Sequence, residues 1–161
     1  MSNWTIGHAQ FFDEFELYWL GRQYEGLPLN YMGRGTDADD VTHVTFGYGD
    51  PSYFGDAASG SWISPVEVDI QPYCGWSPKE YLSYYEEESE QIEIRNVTGY
   101  MRHYNGDWNY LTLWSGNSAI SIDTTRHTDI DIEQVAQDLI PIAEDAGATL
   151  EPLPPPIETG C

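Results

Sequence analysis

Hydrophobic and polar residues alternate in several short stretches of the chain, which is the pattern of strands with one buried face. The clearest stretch is PVEVDIQ (65–71), in which three β-branched residues alternate with two carboxylates and a glutamine. The same period of two occurs at 15–20, 42–49, 91–104, 108–114 and 118–123. The sequence therefore predicts about six strands.

The last three of these stretches are predicted to form a meander across 91–123. Asn105-Gly106 separates the first two, and Asn-Gly is the strongest short hairpin signal because both residues tolerate positive φ. Ser115-Gly116-Asn117 links the next two. Along 91–104 the phase of the alternation shifts, which predicts a bulge or a strong bend near Arg95-Asn96.

One principal helix is predicted over about 131–146. Apolar residues recur there at spacings of three and four, which gives a stripe that packs on a sheet. Thr128, Asp129 or Asp131 can cap its start, Gly147 suits its end, and Pro141 predicts a kink. A shorter helix is predicted over 77–88, where a serine is followed by a proline at the first helical position.

The predicted fold class is α+β, with residues 1–161 in a single domain. An antiparallel sheet of about six strands includes the meander, and the principal helix packs on one of its faces. Residues 1–14 are left as a flexible lead-in or as a segment next to an expression tag. Residues 148–161 form an extended proline-rich tail, because prolines lack the amide hydrogen that helices and inner strands require.

The charge of the chain is strongly unbalanced, with 27 acidic and 6 basic residues and a net charge of −21 at pH 7. Such a surface repels a phosphate backbone and an anionic membrane, so nucleic acid is excluded as a partner. Solubility or a salt-adapted proteome explains the charge most simply. A basic partner or a divalent cation is the functional alternative.

No run of eighteen apolar residues occurs, so no transmembrane segment is predicted. The first residues, MSNWTIGHAQFF, lack the basic and apolar regions of a signal peptide. Two interpretations follow. Either the protein is cytoplasmic, or an export signal, with a lipid anchor, belonged upstream of this chain and has been removed.

No cofactor is predicted, and only one weak metal candidate is found. The four histidines are scattered and form no close ligand pair, so the sequence does not predict a zinc site. Asp37, Asp39 and Asp40 lie in a glycine-rich loop and are a weak calcium candidate, although the complete twelve-residue calcium loop is absent.

No catalytic residue is predicted, and the protein is expected to be non-catalytic. A nucleophile elbow is absent, and Cys74 is explained more simply as a core or bridged cysteine than as a nucleophile. A glycosidase needs two facing carboxylates, and nothing selects a pair among the 27 acids. Several aromatic residues could stack on sugar rings or on a partner, although packing in the sheet and the core explains them more simply: Trp62, Tyr73, Trp76, Trp108 and Tyr110.

The order of several motifs resembles a group of uncharacterised bacterial extracytoplasmic proteins, often lipoprotein-like. The shared features are YWLG…GLPL within 16–32, YGD at 48–50, the PVEVDIQ strand leading to Cys74, the segment 110–142, and a proline-rich tail that ends in Cys161. The resemblance implies an envelope-exposed location and supplies no catalytic residues. An additional cysteine pair expected near the YGD loop is missing from this chain.

The resemblance also implies that Cys74 and Cys161 form a disulfide, which persists only in an oxidising compartment. The alternative is a frayed tail that makes no bridge.

Three functions remain open. The first is a non-catalytic extracytoplasmic domain, tethered to the cell envelope, that binds a protein, small-molecule or glycan ligand or has a structural role. The second is an acidic cytoplasmic inhibitor or immunity-type protein that neutralises a basic toxin. The third is an envelope glycan hydrolase that uses an unrecognised pair of carboxylates.

Overall fold

The computed structural model describes residues 4–54, 58, 60–104, 107–124, 129–143 and 152–158, with the backbone alone at 54, 104, 107 and 108. The described residues form the helices α1 (Ile6–Gln10), α2 (Pro78–Tyr85) and α3 (Ile132–Asp138). They also form twelve strands: β1 (Tyr18–Trp19), β2 (Gln23–Tyr24), β3 (Leu27–Thr36), β4 (Thr42–Tyr48), β5 (Ser52–Phe54), β6 (Ser61–Ile63), β7 (Val66–Pro72), β8 (Ser89–Ile94), β9 (Val97–Tyr104), β10 (Asp107–Ser115), β11 (Ser118–Asp123) and β12 (Ile140–Pro141).

Eight of the strands form one antiparallel sheet in the order β2-β3-β4-β7-β11-β10-β9-β8. Two small antiparallel pairs accompany it, β1 with β12 and β5 with β6. None of the helices in the described ranges is long and apolar enough to cross a membrane.

The predicted fold class is wrong, because the protein is mainly β and its large sheet has eight strands rather than about six. The region 91–104, predicted as one bent strand, is two antiparallel strands, β8 and β9. Arg95 and Asn96 are the two-residue turn between them, with φ values of 48° and 68°. Two consecutive positive φ values are those of the type I′ hairpin turn, whose twist matches that of the flanking strands.

The principal helix is also shorter than predicted. Helix α3 ends at Asp138, and Leu139 is already extended. Pro141 has no amide hydrogen to donate to the carbonyl of Gln137, and a residue before proline disfavours helical backbone. Ile140 and Pro141 therefore pair with β1 as β12 instead of continuing a kinked helix.

The strand predicted over 65–71 is confirmed as β7, whose valines and isoleucine are fully buried. The buried residues of β7 share one face of the sheet with those of β4, β10 and β11, and together they form the core. It is covered by α3, β12, Leu153 and the N-terminal segment up to Leu20. Residues 4–14, left as a flexible lead-in by the sequence, contain α1, and Ala9 on that helix is fully buried.

The described part of the proline-rich tail, 152–158, is neither helix nor strand and crosses the meander. The amide of Leu153 donates to the carbonyl of Arg95 at 2.9 Å. The carbonyl of Pro154 accepts from Ser115 Oγ at 3.1 Å, and the amide of Ile157 donates to Gly116 O at 2.7 Å. The turn at Arg95-Asn96 and the turn at Gly116-Asn117 therefore both hold the tail.

Cys161 lies outside the described residues, so the bridge to Cys74 stays a prediction. Cys74 follows β7 in a single 3₁₀ turn, Tyr73–Gly75. The amide of Tyr73 donates to Asn117 O at 2.8 Å, in the same hairpin turn that holds Ile157. The end of the described tail and the turn that contains Cys74 thus meet at one hairpin.

Candidate binding clefts on the polar face of the sheet

The face of the sheet opposite the core carries a row of carboxyl and hydroxyl groups. In the register of β7 and β11, Glu67 lies opposite Asp123 and Asp69 lies opposite Ser121. Thr112 on β10 is the next neighbour of Ser121, and their hydroxyl oxygens are 3.2 Å apart. Directly opposed side chains in antiparallel strands have Cβ atoms about 4.5–5.5 Å apart, so these groups are neighbours.

Two adjoining clefts lie over this row. The first, here the α2 cleft, has a volume of about 310 Å³. Its lining includes the carboxylates Glu67, Asp69 and Asp123, and the aromatic rings of Trp76, Tyr81, Tyr85 and Tyr110. The second, here the Trp62 cleft, has a volume of about 390 Å³ and is lined by Tyr31, His43, Thr45, Pro51, Trp62, Ser64 and Glu67. Glu67 is common to the linings of both clefts, so the clefts adjoin at this residue.

Helix α2 forms the wall of the α2 cleft. Its start is fixed by Ser77, whose side chain accepts from the amide of Glu80 at 3.2 Å, and by Pro78 at the first helical position. Tyr81 anchors the helix, because its side chain is only 1% exposed. Its ring lies 5.6 Å from that of Trp114, on the sheet.

The turn that precedes α2 is also fixed to the sheet. Trp114 Nε1 donates to the carbonyl oxygen of Trp76 at 2.6 Å. The ring of Trp76 meets that of Tyr81 edge to face at 6.1 Å and stacks on that of Tyr84 at 5.9 Å. The aromatic wall is therefore held in place by one hydrogen bond and a set of ring contacts.

Arg102 places a cation inside the aromatic wall. Its guanidinium carbon lies 3.7 Å from the ring centroid of Tyr85 and 4.8 Å from that of Tyr110. Such cation–π contacts are worth about 0.5–2 kcal/mol, depending on exposure. Arg102 Nε is buried without a hydrogen-bond partner among the described residues.

Glycines allow the side chains that line the Trp62 cleft to lie close to the sheet. A Cβ atom on Gly35 would be 2.5 Å from His43 Nε2, and one on Gly47 would be 2.5 Å from Ser64 Oγ. A Cβ atom on Gly33 would overlap the ring of Tyr31. Larger residues at these positions would displace the side chains that line the cleft.

Burial raises the pKa of both β7 carboxyl groups. For Glu67, the proximity of Asp123 and Asp69 adds to burial, while the hydrogen bond from the amide of Ser64 at 2.9 Å opposes it. For Asp69, the hydrogen bond from Thr45 Oγ1 at 2.6 Å and the proximity of His43 oppose the effect of burial on its pKa. Ionised carboxylates are thus held where their charge is poorly solvated.

These raised pKa values predict that the protein becomes more stable as the pH falls from 7 towards 4.5. The folded state binds more protons than the unfolded state in this window, so the free energy of unfolding decreases as the pH rises through the folded pKa. We expect the double substitution E67Q/D69N to reduce this dependence, because amides do not titrate, while their oxygens can still accept the hydrogen bonds from Ser64 and Thr45. Melting temperatures at pH 5, 6 and 7 measure the effect.

The matched control for the pH prediction is E87Q/E88Q, which removes two charges from exposed positions. Equal pH dependence in the two double variants would contradict a specific contribution from the cleft carboxylates.

The calcium candidate has a structural explanation. Asp37, Asp39 and Asp40 lie in the turn between β3 and β4. Asp37 Oδ1 accepts from the amides of Asp39 and Val41 at 2.9 and 3.0 Å, which is the local bonding of an Asx turn. Within the described ranges, no three His, Cys, Asp or Glu side chains come together as a metal-binding group.

The structure brings some of the aromatic candidates together and separates others. Trp62 borders one cleft, and Trp76 and Tyr110 border the other. Tyr73 lies instead beside the tail, where burial and the nearby Glu158 raise its pKa. The side chain of Trp108 lies outside the described part of the chain.

No sequence motif singled out the cleft carboxylates or Arg102. Glu67 and Asp69 were recognised only as the polar side of β7. Asp123 and Arg102 stood out in no motif. The strand register could have found them. If β7 and β11 are neighbours in the sheet, carboxylates near the ends of these strands can face each other on its polar side.

The motifs behind the family resemblance fall on β1, the end of β4 and β7. YWLG covers β1 and the two residues that follow it, and YGD begins at the last residue of β4. The resemblance stays a prediction. Comparisons with family models, with curated proteins and with solved structures found no match for this chain.

Proposed function

We propose that the protein is a non-catalytic binding domain of the bacterial cell envelope, and that its ligand occupies the α2 and Trp62 clefts. The single observation that carries the proposal is the position of Glu67. This half-buried carboxylate has a raised pKa and borders both clefts on the polar face of the sheet. Perturbed ionisable groups in a cleft are typical of functional sites.

A purely structural role does not explain this face of the sheet. Burial of a carboxylate without a compensating charge costs stability, and the cleft carboxylates have few basic neighbours. Among the described lining residues, the basic side chains are Arg102 and His43. Clefts of about 300–1,000 Å³ with a few polar groups among aromatic rings are the usual form of small-molecule sites.

The envelope location rests on the resemblance and on the predicted disulfide. The described tail meets the hairpin turn that also bonds to Tyr73, next to Cys74, as a bridge to Cys161 requires. The net charge of −21 supports the alternative of a cytoplasmic inhibitor of a basic toxin.

One observation favours a glycan hydrolase as the second candidate. Glu67 and Asp123 lie directly opposite each other in the register of β7 and β11, and a glycosidase acts through a pair of carboxyl groups. Glu67 with its raised pKa would be the general acid. Chromatography of an oligosaccharide after incubation with the protein separates this candidate from simple binding, since only a hydrolase releases shorter products.

The binding proposal can be tested by ¹⁹F NMR on protein that carries 5-fluorotryptophan at its six tryptophans. Substitutions W62F and W76F assign the two cleft signals. The probes are neutral hexasaccharides, spermidine and trilysine at millimolar concentration. We expect at least one probe to shift the signals of Trp62 or Trp76 and to leave that of Trp19 unchanged.

Trp19 is the internal control, because it is buried in the core on the other side of the sheet. A panel in which no probe shifts the Trp62 or Trp76 signals would overturn the binding proposal.

A further inference from the structure

We infer that the ligand of the two clefts is a neutral oligosaccharide that lies across the polar face of the sheet, from Trp62 to Trp76. This inference rests on the proposed binding function and names its ligand class. It is carried by an aromatic residue in the lining of each cleft and by the hydrogen-bonding groups that line the clefts with them.

The first aromatic face is that of Trp62. Its side chain is 68% exposed although it borders a cleft. It stands on the β5–β6 pair, which is separate from the large sheet. The ring of Tyr53 contacts it at a centroid distance of 5.7 Å in an edge-to-face arrangement, and most of the Trp62 side chain remains exposed. A sugar ring presents a flat face of C–H groups that such an exposed indole can cover.

The second aromatic face lies on the α2 side. Tyr84 is 69% exposed, and its ring is nearly parallel to that of Trp76, at an angle of 22°. Trp76 lines the α2 cleft. Trp62 and Trp76 therefore line two different clefts, and Glu67 belongs to both.

The polar groups that line the α2 cleft can form hydrogen bonds with the hydroxyl groups of a sugar. Glu67, Asp69 and Asp123 are strong acceptors for hydroxyl donors, and Arg102 is a donor. Thr112 and Ser121 can do either. Hydrogen bonds between a neutral hydroxyl and an ionised carboxylate are stronger than those between two neutral groups.

Two observations favour a neutral ligand over a charged one. Three carboxylates in one cleft repel an anion, and the net charge of −21 adds to this repulsion. The aromatic cage that would accept a ligand cation already contains the guanidinium of Arg102, against Tyr85 and Tyr110. A neutral ligand can use both the carboxylates and the exposed rings without displacing this internal cation.

Because the two clefts adjoin at Glu67, a chain of sugar rings spans them better than a single ring. We therefore expect the affinity for a hexasaccharide to exceed that for the matching disaccharide about tenfold or more, since every 1.4 kcal/mol of additional contact is a factor of ten.

The test is titration calorimetry of the full chain with cellohexaose, chitohexaose, xylohexaose, maltohexaose and spermidine. We expect at least one hexasaccharide to bind, and its affinity to change less than about twofold between 50 and 500 mM NaCl, because a neutral ligand is little affected by screening. W62A and E67Q are each expected to weaken it about tenfold or more.

Two matched controls separate the clefts from general surface effects. F11A removes an aromatic side chain that is 89% exposed and lines neither cleft. E87Q removes one exposed carboxylate at the end of α2. Both are expected to leave the affinity within about twofold of the original value. Circular dichroism and melting temperature verify that W62A and E67Q are folded, and W62F, which keeps an aromatic ring, is expected to lose less affinity than W62A.

The outcomes distinguish this inference from the proposed function. Spermidine binding that shifts the ¹⁹F signals of Trp62 or Trp76, without binding of any hexasaccharide, would overturn the oligosaccharide inference and leave the binding function intact. Hexasaccharide binding that W62A and E67Q do not weaken would also overturn the inference. An absence of both calorimetric binding and ¹⁹F shifts for every probe would overturn both proposals.

Discussion

Replacement of Tyr81 by alanine is expected to lower the free energy of unfolding by about 3–5 kcal/mol, the usual cost of truncating a buried aromatic side chain. Tyr81 is the residue of α2 that is buried against the sheet. Its ring stacks with Tyr100 at 5.5 Å and contacts Trp114 at 5.6 Å. Alanine would leave a cavity between α2 and the sheet, with few neighbouring side chains able to fill it.

Urea unfolding followed by circular dichroism measures this cost, and two further variants interpret it. Y84A truncates an exposed tyrosine on the same helix and is expected to cost about 1 kcal/mol or less. Y81F removes only the hydroxyl, which lies 3.0 Å from Ser89 Oγ, and is expected to cost about 0.5–1.5 kcal/mol. If Y81A were no more destabilising than Y84A, Tyr81 could not be the anchor of α2.

The substitution Y81A is also expected to affect the proposed binding site. Tyr81 contacts Trp76 and lines the α2 cleft. Loss of the Tyr81 ring would make α2, the wall of that cleft, more mobile. The described lining of the Trp62 cleft contains no residue of α2. In Y81A, the ¹⁹F signal of Trp76 is therefore expected to broaden or shift, with little change at Trp62.

Local alternation predicted the central strands well, because it directly reflects burial of one face. In β7 the residues expected inside, Val66, Val68 and Ile70, are fully buried, and the alternate polar residues are not. Strand β3 was missed for the same reason. It lies near the edge of the sheet and contains two glycines and a proline, so its sequence shows no regular alternation.

Two errors in the predicted fold came from signals that were noticed and then interpreted wrongly. The shift of phase near Arg95 and Asn96 marked a hairpin turn, but this pair lacks the glycine that usually announces one. Pro141 was treated as a kink within a helix. In the structure it ends the helix, because Ile140 and Pro141 gain antiparallel pairing with β1.

The candidate site could be predicted only in part. The alternation in PVEVDIQ placed Glu67 and Asp69 together on the polar side of β7, as observed. Their partial burial depends on α2 and on the β5–β6 pair, which lie on either side of β7 in sequence and are brought over the same face by tertiary packing. No local pattern encodes that packing, so the carboxylates appeared equivalent to the other acidic residues.

Replacement of Arg95 by alanine is expected to be the second most destabilising of the proposed changes, at about 2–4 kcal/mol. Arg95 Nη1 donates to the carbonyl oxygens of Leu139 and Ala136, at 2.6 and 3.3 Å, at the end of α3. Burial lowers the pKa of this arginine. Its loss leaves two carbonyl groups at a helix end without their charged donor, and such unsatisfied groups cost about 1–3 kcal/mol each.

The carbonyl of Arg95 also accepts from the amide of Leu153, so the same turn holds the tail. Alanine keeps the Cβ atom at this positive φ, which means that the measured cost reports the guanidinium rather than the backbone. The control is R34A, which removes a surface ion pair with Glu14 at 2.6 Å and is expected to cost about 0–1 kcal/mol. Urea unfolding measures the free energy of unfolding of both variants. A cost for R95A within that same range would mean that the end of α3 and the tail do not depend on this side chain.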